Sequence, residues 1–406
     1  MYALSREKSN TADVSVPIMS QPASIRAAAA QFGPFDQRVW LNTAHQGPLP
    51  RSAVAAASRA AEMKSSPHRI ADEEFSSVPE RLRDLLGQLL HAPVEQIALG
   101  NSTSYGMHLI ANGLAWNDGD EVLVIAGDYP ATVLPWLRLS ERGVNTTTLY
   151  PADGIMSAGE LTAAITVHTR VLAITWVDSF TGRALDLNAL GNVCRETGVL
   201  LVVNGSQAIG ARPLDVTNLP IDAVVSCGYK WLCGPYATGF AWLHQDLLDR
   251  LRPQQAYWLA MQTGRGLDHM RDTTLRNDLG VRAFDVFCPA NFLTVLPWIE
   301  SLQLIVDTGV EVIANWDQRL IDLLIEGLDP ELFRLVSPAD GPSRSTLVVL
   351  ENTNGSGKQR HEQLARDGID VAFREGNLRL SPHLFNTFDQ IKVALDALHE
   401  PARSAG

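Results

Sequence analysis

The segment Ala223-Val-Val-Ser-Cys-Gly-Tyr-Lys-Trp-Leu-Cys-Gly-Pro235 joins a short apolar strand to a turn through a single lysine, Lys230. Its apolar start, residues 223–225, is typical of a strand buried on both faces of a sheet, and Gly234-Pro235 indicates a turn. The aromatic and apolar neighbours of Lys230 would partly desolvate its ammonium group and lower its pKa, as Schiff-base chemistry requires. A lysine that extends from a strand end into solvent is the alternative, and the segment alone leaves it open.

Similar apolar runs recur along the chain and alternate with helical patterns. They are bounded by turn residues and lack polar alternation, which indicates strands covered on both faces. The runs are Glu121–Ile125, residues 171–177, residues 199–203 and Gly239–Leu243. A helix is predicted over residues 187–196, with Gly198 at its C-cap. Strand–helix–strand repetition predicts an α/β fold with a mostly parallel sheet and helices on both sides.

After Pro289 the pattern changes to two long apolar helices and then to short strands between helices. The predicted helices are 292–306, 312–328, 358–367 and a final one, and the predicted strands are 346–351, 371–373 and 378–380. We therefore predict a large domain over residues 36–289 and a smaller α+β C-terminal domain over residues 290–406. Residues 1–35 are predicted to form an arm that associates with the small domain.

Composition excludes several classes of protein. The 406 residues include 33 basic and 45 acidic side chains, a net charge of −12, so a basic footprint for nucleic acid is absent. No stretch approaches the roughly 18 uninterrupted apolar residues of a membrane span, and the N-terminal 30 residues lack the apolar core of a secretory signal. The four cysteines show no CxxC zinc spacing, so no metal site is predicted. We expect a cytoplasmic protein.

Two polar segments border predicted elements, one at the end of a strand and the other at the start of a helix. The turn Asn204-Gly-Ser-Gln207 comes after the run 199–203, and ligands of open α/β sheets bind at such carboxyl ends of strands. The segment Gly100-Asn-Ser-Thr-Ser-Tyr-Gly106 precedes a helical run, where hydroxyl and backbone N–H groups can bind a phosphate. A turn-forming Asn-Gly pair and an ordinary Ser/Thr N-cap are the alternatives. Neither segment is a dinucleotide-binding or Walker motif.

Together these segments resemble those of the class V aminotransferases, the fold-type I enzymes that use pyridoxal 5'-phosphate (PLP). The resemblance runs from about Val39 to Asn386. It also includes Leu41-Asn-Thr43 with Gly47-Pro48, Gly119-Asp-Glu121, Thr181-Gly182 and Arg379-Leu-Ser-Pro-His-Leu-Phe-Asn386. It implies the fold-type I PLP-dependent transferase fold, PLP as cofactor, an amino-acid substrate and a homodimer, for which the apolar run 290–298 would supply surface. Within the family, the chain looks like the isopenicillin N epimerase-like members, several of which tailor antibiotics (including PLP enzymes of lincosamide pathways).

The resemblance also implies roles for individual residues. Lys230 would hold the cofactor covalently and move the proton at the substrate Cα, with Asn204 and Tyr129 against the cofactor ring. The residues expected to bind the cofactor are Thr103 and Ser104 at the phosphate with Cys227 nearby, Ser179 and Gln207 at the ring hydroxyl, and Tyr129, Asn204 and Lys230. Arg379 would bind the substrate carboxylate, with Arg374 and His45 in the same pocket.

Asn204 is the most informative departure from the family pattern, because it stands where relatives have an aspartate paired with the pyridine nitrogen. A carboxylate keeps the ring protonated, so that the ring can absorb the charge left at Cα. An amide is uncharged and can donate to an unprotonated nitrogen instead. We therefore predict β-elimination, as in a C–S lyase, ahead of transamination. Epimerisation, O2-dependent oxidative deamination and a non-catalytic PLP-binding scaffold are the remaining alternatives.

The other departures concern the cofactor pocket and the sulfur chemistry. Tyr129 replaces a histidine over the ring, Cys227 replaces a serine near the phosphate, and Phe287-Cys288 replaces a Gly-Thr pair that in many relatives reaches the partner subunit's cofactor.

Cysteine desulfurases attack substrate sulfur with a cysteine on a loop before the carboxylate-binding arginine. Residues 289–406 contain no cysteine, so the resemblance disfavours a desulfurase.

Overall fold

The structure is a computed structural model that describes residues 21–258, 271, 274–276 and 278–400. The first 20 residues of the predicted arm and the last six of the predicted small domain lie outside these ranges. The strands are β1 (Val39–Trp40), β2 (Ile97–Gly100), β3 (Glu121–Ile125), β4 (Asn145–Leu149), β5 (Thr169–Thr175), β6 (Leu200–Asn204), β7 (Ala223–Cys227), β8 (Gly239–Leu243), β9 (Phe333–Leu335), β10 (Val348–Asn352), β11 (Ile369–Asp370), β12 (Ala372–Arg374) and β13 (Asn377–Leu380). The helices are α1 (Ala23–Ala29), α2 (Arg51–Ser65), α3 (Glu74–Leu90), α4 (Thr103–Gly113), α5 (Pro130–Leu137), α6 (Ala158–Ala164), α7 (Leu187–Thr197), α8 (Gln245–Leu248), α9 (Phe292–Thr308), α10 (Val310–Glu326), α11 (Gly357–Arg366) and α12 (Phe388–His399).

A seven-stranded sheet in the order β2-β8-β7-β6-β5-β3-β4 forms the centre of the protein. The five strands from β7 to β4 pair in parallel, whereas β8 and β2 pair antiparallel at one side. Along β6, Leu201 and Val203 pack into one apolar core, while Leu200 and Val202 pack into the core on the opposite face. Both faces are therefore covered, which explains the continuous apolar runs and confirms the predicted α/β fold with a mostly parallel sheet.

The C-terminal part of the chain forms an antiparallel sheet in the order β12-β13-β10-β9, with α10, α11 and α12 nearby. The short strand β1 pairs in parallel with β11, and α1 packs against α9 and α10, so the N-terminal segment contacts the C-terminal region. The predicted domain boundaries themselves stay predictions. In the described ranges, no helix is long and apolar enough to cross a membrane.

Much of the apolar run 290–298, which the sequence analysis assigned to a subunit interface, is packed within the chain. It forms the start of α9, and this helix packs against α2 and α3 of the same chain. Val295 and Trp298 are buried within the chain, and only Leu293 among the run's large apolar side chains is mostly exposed. An apolar helix face indicates burial without indicating which chain buries it, so a contribution of this run to a subunit interface stays a prediction.

Candidate active site

The predicted site residues gather at the carboxyl ends of the parallel strands. Asp128 and Tyr129 follow β3, Ser179 follows β5, Asn204 ends β6 and Lys230 follows β7. Because parallel strands run in one direction, these ends lie on the same edge of the sheet. The fold therefore brings together residues that are up to about 100 positions apart in the sequence.

The turn that carries Lys230 is held by close backbone contacts. A Cβ atom on Gly228 or Gly234 would lie 2.6 or 2.5 Å from the Trp298 ring, so only glycine fits on either side of the lysine. Gly47 donates its N–H to the Tyr229 carbonyl at 2.9 Å, and a Cβ there would lie 1.9 Å from the Lys230 carbonyl oxygen. The position of Lys230 is thus fixed by three glycines, two on its own turn and one from the segment that contains Gly47.

Lys230 is buried, and burial lowers the pKa of its ammonium group below the ordinary value. The positive charges of Arg379 and Arg374 lower this pKa further, while Cys227 acts in the opposite direction. Within the described ranges, the Lys230 side chain has no hydrogen bond or ion pair, and its Nζ lies 5.4 Å from the centre of the Tyr129 ring. A desolvated, unpaired amine of this kind is suited to nucleophilic attack on a carbonyl carbon.

Arg379 lies on β13 and is buried against the same site. One Nη donates to the Ser179 carbonyl at 3.0 Å, whereas its Nε has no hydrogen-bond partner among the described residues. Burial, followed by the positive charge of Arg374, lowers the pKa of Arg379 to about 10, so the guanidinium remains charged at neutral pH. A buried cation without a carboxylate partner is costly, and an anionic ligand would relieve that cost.

His45 and Arg374 complete a cluster of basic groups around Lys230 and Arg379. His45 remains accessible to solvent, and its pKa is lowered by partial desolvation of the ring and by the charges of Arg374, Arg379 and Lys230. Arg374 ends β12, with one Nη donating to its neighbouring carbonyl at Phe373. A chain with a net charge of −12 therefore concentrates positive charge at this edge, as expected for a site that binds phosphate and carboxylate groups.

The residues predicted at the ring hydroxyl contact one another. Gln207 donates from Nε2 to the Ala44 carbonyl at 3.0 Å and to the Ser179 hydroxyl at 3.4 Å, and its Oε1 accepts the Trp231 indole N–H at 3.0 Å. Both amide protons of Gln207 are thus used within the protein. The Ser179 hydroxyl accepts from Gln207 and keeps its own proton, so Ser179 is the better placed of the two to donate to a ligand oxygen.

At the predicted phosphate site, Ser102 caps α4 by accepting the Tyr105 N–H at 3.1 Å. The Thr103 hydroxyl lies 2.6 Å from the Ser206 hydroxyl and is buried, whereas Ser104 is exposed. The first backbone N–H groups of α4 have no partner within the helix, as at any helix start. Ser104 and these N–H groups are therefore available to an anion, while Thr103 faces the protein interior.

Asn204 and Cys227 end neighbouring strands and are both buried. The Asn204 Oδ1 accepts the Ser206 N–H at 3.0 Å and the Ser206 hydroxyl at 2.6 Å. Its Nδ2 donates to the Thr132 hydroxyl at 2.9 Å, which leaves one amide proton without a described partner. The Cys227 thiol packs in this region but is a weak donor.

These features fit PLP. The unpaired Lys230 amine would hold its aldehyde carbon, Ser104 and the start of α4 would hold its phosphate, and Tyr129 would cover its ring beside Phe180, with which it stacks at 6.4 Å. The unpartnered Arg379 would bind the carboxylate of an amino acid. The roles of the individual residues stay predictions.

Sequence reasoning missed a buried ion pair that holds the lysine turn. The His383 Nδ1 lies 2.8 Å from the Asp317 carboxylate, and its Nε2 lies 3.1 Å from the Trp231 carbonyl, so both ring nitrogens face acceptors. Burial opposes protonation, but Asp317 outweighs it and raises the pKa of His383 to about 10. The imidazolium thus joins α10 and the segment after β13 to the residue next to Lys230. A histidine between Arg379 and Asn386 was the available signal.

Sequence reasoning also missed the role of Asp128, which follows β3 and whose carboxylate accepts hydrogen bonds. Asp128 was visible in Gly127-Asp-Tyr-Pro130, but no pattern connected it with the residues that it contacts. Its carboxylate accepts the Thr175 N–H at 2.9 Å and also the Thr175 hydroxyl. The Thr175 hydroxyl in turn lies 2.8 Å from that of Thr132, the partner of Asn204.

Comparisons with known proteins agree with this geometry. Residues 40–382 match the family model described as "Aminotransferase class-V". The chain is 27% identical over 375 residues to the isopenicillin N epimerase of Streptomyces clavuligerus, with 88% of this chain and 93% of that protein covered. It is 24% identical over 351 residues to a probable cysteine desulfurase of Methanothermobacter thermautotrophicus, with 80% and 83% covered.

Among solved structures, a complex of a cystine C–S lyase with its product cysteine persulfide is similar, with a TM-score of 0.82 and 21% identity. The match covers 91% of this chain and 99% of that one. This likeness confirms the fold-type I architecture. Because the family model spans most of the sequence, the chain belongs to the class-V aminotransferase family of PLP-dependent enzymes.

Proposed function

We propose that this enzyme eliminates the β-substituent of an α-amino acid, with a cysteine S-conjugate as the substrate class. The observation that carries the proposal is the Asn204 amide at the buried end of β6, where a carboxylate would keep a cofactor ring protonated. The orientation of this amide, with its nitrogen toward Thr132, supports a role as hydrogen-bond donor.

PLP supplies an electron-withdrawing ring that acidifies the Cα–H bond of an attached amino acid. Lys230 would hold the cofactor before the reaction and then move the proton at Cα, since its lowered pKa lets it act as a base. Arg379 would bind and orient the substrate carboxylate. Tyr129 would cover the ring and exclude water from one of its faces.

The choice of elimination follows from how the charge at Cα is relieved. The Asn204 amide would offer the cofactor ring a hydrogen bond but no charge, so the ring would stabilise negative charge at Cα less. Expulsion of a good leaving group from Cβ relieves that charge at once. Transamination would instead need that charge to persist, because no leaving group at Cβ carries it away. A thiolate is a good leaving group, and C–S bond cleavage is therefore favoured.

Epimerisation is the second candidate, supported by the similarity to two isopenicillin N epimerases at 27% identity over 88% and 89% of this chain. An epimerase returns the proton to Cα on the opposite face and needs no leaving group. A place in antibiotic biosynthesis rests on the same similarity and stays a prediction. Transamination and O2-dependent oxidative deamination are the other reactions that the same site could support.

A desulfurase mechanism has less support, although several relatives bear that name. Residues 289–406 contain no cysteine, so the segment before Arg379 offers no thiol to attack the substrate sulfur. Of the four cysteines, Cys194, Cys227 and Cys233 are buried, and the exposed Cys288 accepts a hydrogen bond from the Tyr257 hydroxyl at 3.4 Å. Cleavage of a C–S bond without a protein persulfide fits this set better.

Product analysis tests the proposal. We expect purified enzyme with a cysteine S-conjugate to release thiol, pyruvate and ammonia in equal amounts, because elimination followed by hydrolysis gives one of each. The yield should not depend on an added keto acid, as measured by mass spectrometry, and Lys230→Ala is the matched negative control. Turnover that requires a keto acid would establish transamination, and deuterium exchange with inversion at Cα but without thiol release would establish epimerisation.

Exposed aromatic side chains support a homodimer as the active form. Tyr236, on the turn after Lys230, is 63% exposed, and Trp258 and Phe287 are each 51% exposed. The ring of Tyr257 lies 5.4 Å from that of Phe287 and 5.9 Å from that of Trp258, so these three form one cluster. Exposed aromatic clusters are typical of subunit interfaces.

We expect light scattering to give twice the chain mass and Phe287→Ser to shift the protein toward monomer, because the substitution removes an apolar contact from the cluster. Tyr150→Ser, which changes an exposed aromatic residue after the edge strand β4, should leave the mass unchanged. A fully active monomer at working concentration would contradict the homodimer.

A further inference from the structure

A continuous chain of hydrogen bonds connects the Asp128 carboxylate to the Asn204 side chain. Asp128 accepts from the Thr175 hydroxyl, which lies 2.8 Å from the Thr132 hydroxyl. Thr132 in turn accepts from the Asn204 Nδ2 at 2.9 Å. We call these four residues the Asp128–Asn204 chain. They come from the segment after β3, the end of β5, helix α5 and the end of β6, so only the folded protein assembles them.

The orientation of the Asn204 amide is determined by its surroundings. The backbone N–H of Ser206 points at one end of the amide at 3.0 Å, and an N–H group can bond only to the oxygen. The Ser206 hydroxyl donates to the same oxygen at 2.6 Å. Rotation of the amide by 180° would place two N–H groups against each other. The amide nitrogen must therefore face Thr132.

This orientation sets the direction of every proton in the Asp128–Asn204 chain. An amide nitrogen cannot accept, so the Thr132 oxygen accepts from Asn204. The single hydroxyl proton of Thr175 is donated to Asp128, and the bond between the two threonines therefore uses the Thr132 proton. All three protons point toward Asp128. An ionised Asp128 suits this arrangement, because its Oδ1 accepts the Thr175 hydroxyl and its Oδ2 accepts the Thr175 N–H, so both oxygens act as acceptors.

We infer that Asp128 is a positioning residue for the cofactor ring, and that its carboxylate acts through Thr175 and Thr132 to hold the Asn204 amide as a donor to an unprotonated ring nitrogen. This inference rests on the proposed function, in which Asn204 faces the PLP ring. The second Nδ2 proton has no partner among the described residues, and it is the one available to the ring. In place of the aspartate that relatives have at position 204, the more distant Asp128 carboxylate thus orients the Asn204 amide, and it does not give the ring nitrogen a proton.

The titration of Asp128 agrees with this role. Burial raises the pKa of Asp128 to about 6, the hydrogen bonds from Thr175 and Tyr129 lower it, and the negative charge of Asp178 raises it. Asp128 is therefore ionised at neutral pH and becomes protonated as the pH falls through about 6. The bond from Thr175 to Asp128 is charge-assisted above that pH and becomes a weaker, neutral hydrogen bond below it.

The test uses holoenzyme prepared with 15N-labelled PLP, because the nitrogen chemical shift distinguishes a protonated, a hydrogen-bonded and a free pyridine nitrogen. The wild-type enzyme should show a hydrogen-bonded, unprotonated nitrogen. Thr132→Val and Thr175→Val remove one hydroxyl each at nearly constant volume, and Asp128→Asn removes the charge. In all three, the signal should move toward the free nitrogen, and the Kd of PLP should rise roughly 3- to 10-fold, as for the loss of one hydrogen bond.

Thr147→Val is the matched control. Thr147 lies on β4 and donates to the Glu121 carboxylate at 2.6 Å, so it makes the same kind of bond at the amino end of β3. This variant should leave the nitrogen signal and the Kd of PLP unchanged. The difference between wild type and Thr175→Val should also narrow below pH about 6, because Asp128 is then protonated in both.

Two results would overturn the inference. One is a nitrogen signal and a Kd of PLP that Thr132→Val and Thr175→Val leave unchanged, as Thr147→Val does. The other is a protonated ring nitrogen in the wild type. Asn204→Asp should give that protonated signal, which shows that the readout senses position 204. The signal does not depend on which product forms, so failure of the elimination assignment would appear in the product analysis alone.

Discussion

Lys230→Ala should abolish covalent attachment of PLP and lower kcat by at least about 10³-fold, the range expected when a positioned acid–base group is lost. The buried amine has no described partner, and its lowered pKa leaves it ready both to bond to an aldehyde and to take a proton. After borohydride reduction, intact and peptide mass spectrometry of the wild type should locate the cofactor on the peptide that contains Lys230. The variant should carry none.

Lys358→Ala controls for a general effect of removing a lysine, because Lys358 is exposed at the start of α11. It should keep the cofactor and full activity. Thermal unfolding of the cofactor-free variant should still be cooperative, since the Lys230 side chain makes no hydrogen bond or ion pair in the described ranges whose loss would unfold the protein. A reduced cofactor found on another lysine in the wild type would refute the central assignment.

Arg379→Gln should lower kcat/KM by at least about 30-fold, because removing one partner of a buried, hydrogen-bonded charge pair costs about 2–5 kcal/mol. Its unpartnered Nε and its buried position indicate a guanidinium group that is available for bidentate hydrogen bonding to a substrate carboxylate. The sharper measurement compares an amino acid with its α-carboxamide. The wild type should strongly prefer the acid, whereas Arg379→Gln should accept both at similarly low kcat/KM.

Arg374→Gln is the comparison variant for this prediction. Arg374 donates to its own neighbouring carbonyl and acts on the site only through its charge, so its loss should cost less and should retain the preference for the acid. If Arg379→Gln kept the wild-type preference for the acid, the carboxylate would have to bind elsewhere in the basic cluster, with Arg374 or His45 as the next candidates.

The burial of two basic groups, Lys230 and Arg379, in one place has a common explanation. Lys230 and Arg379 are held apart from acidic partners, and each lowers the pKa of other basic groups around it. Unpaired buried charge destabilises a folded protein, and such strain is concentrated at functional sites. A ligand with a phosphate and a carboxylate would remove much of this repulsion, so we expect cofactor and substrate to stabilise the protein as well as react in it.

The sequence by itself determined the class of fold, the cofactor and the family. Strands such as β6 and β7 are buried at every residue, and their continuous apolar runs report that burial directly. Helix α7 ends at Gly198 in the left-handed conformation, as the glycine predicted. These features depend on neighbouring residues, and a linear pattern can therefore encode them. The resemblance to the class V aminotransferases likewise rests on short contiguous motifs.

Only the tertiary structure decided how the site residues are connected. It turned the Thr103 hydroxyl inward, engaged both amide protons of Gln207, and buried the start of α9 within the chain, none of which the local pattern could show. The bonds from Asn204 to Thr132 and from Thr132 to Thr175 join residues 72 and 43 positions apart. Nothing in the local sequence indicates that a threonine on a helix and another at a strand end form a hydrogen bond with each other. Their partners are set by strand order and packing, which depend on the whole chain.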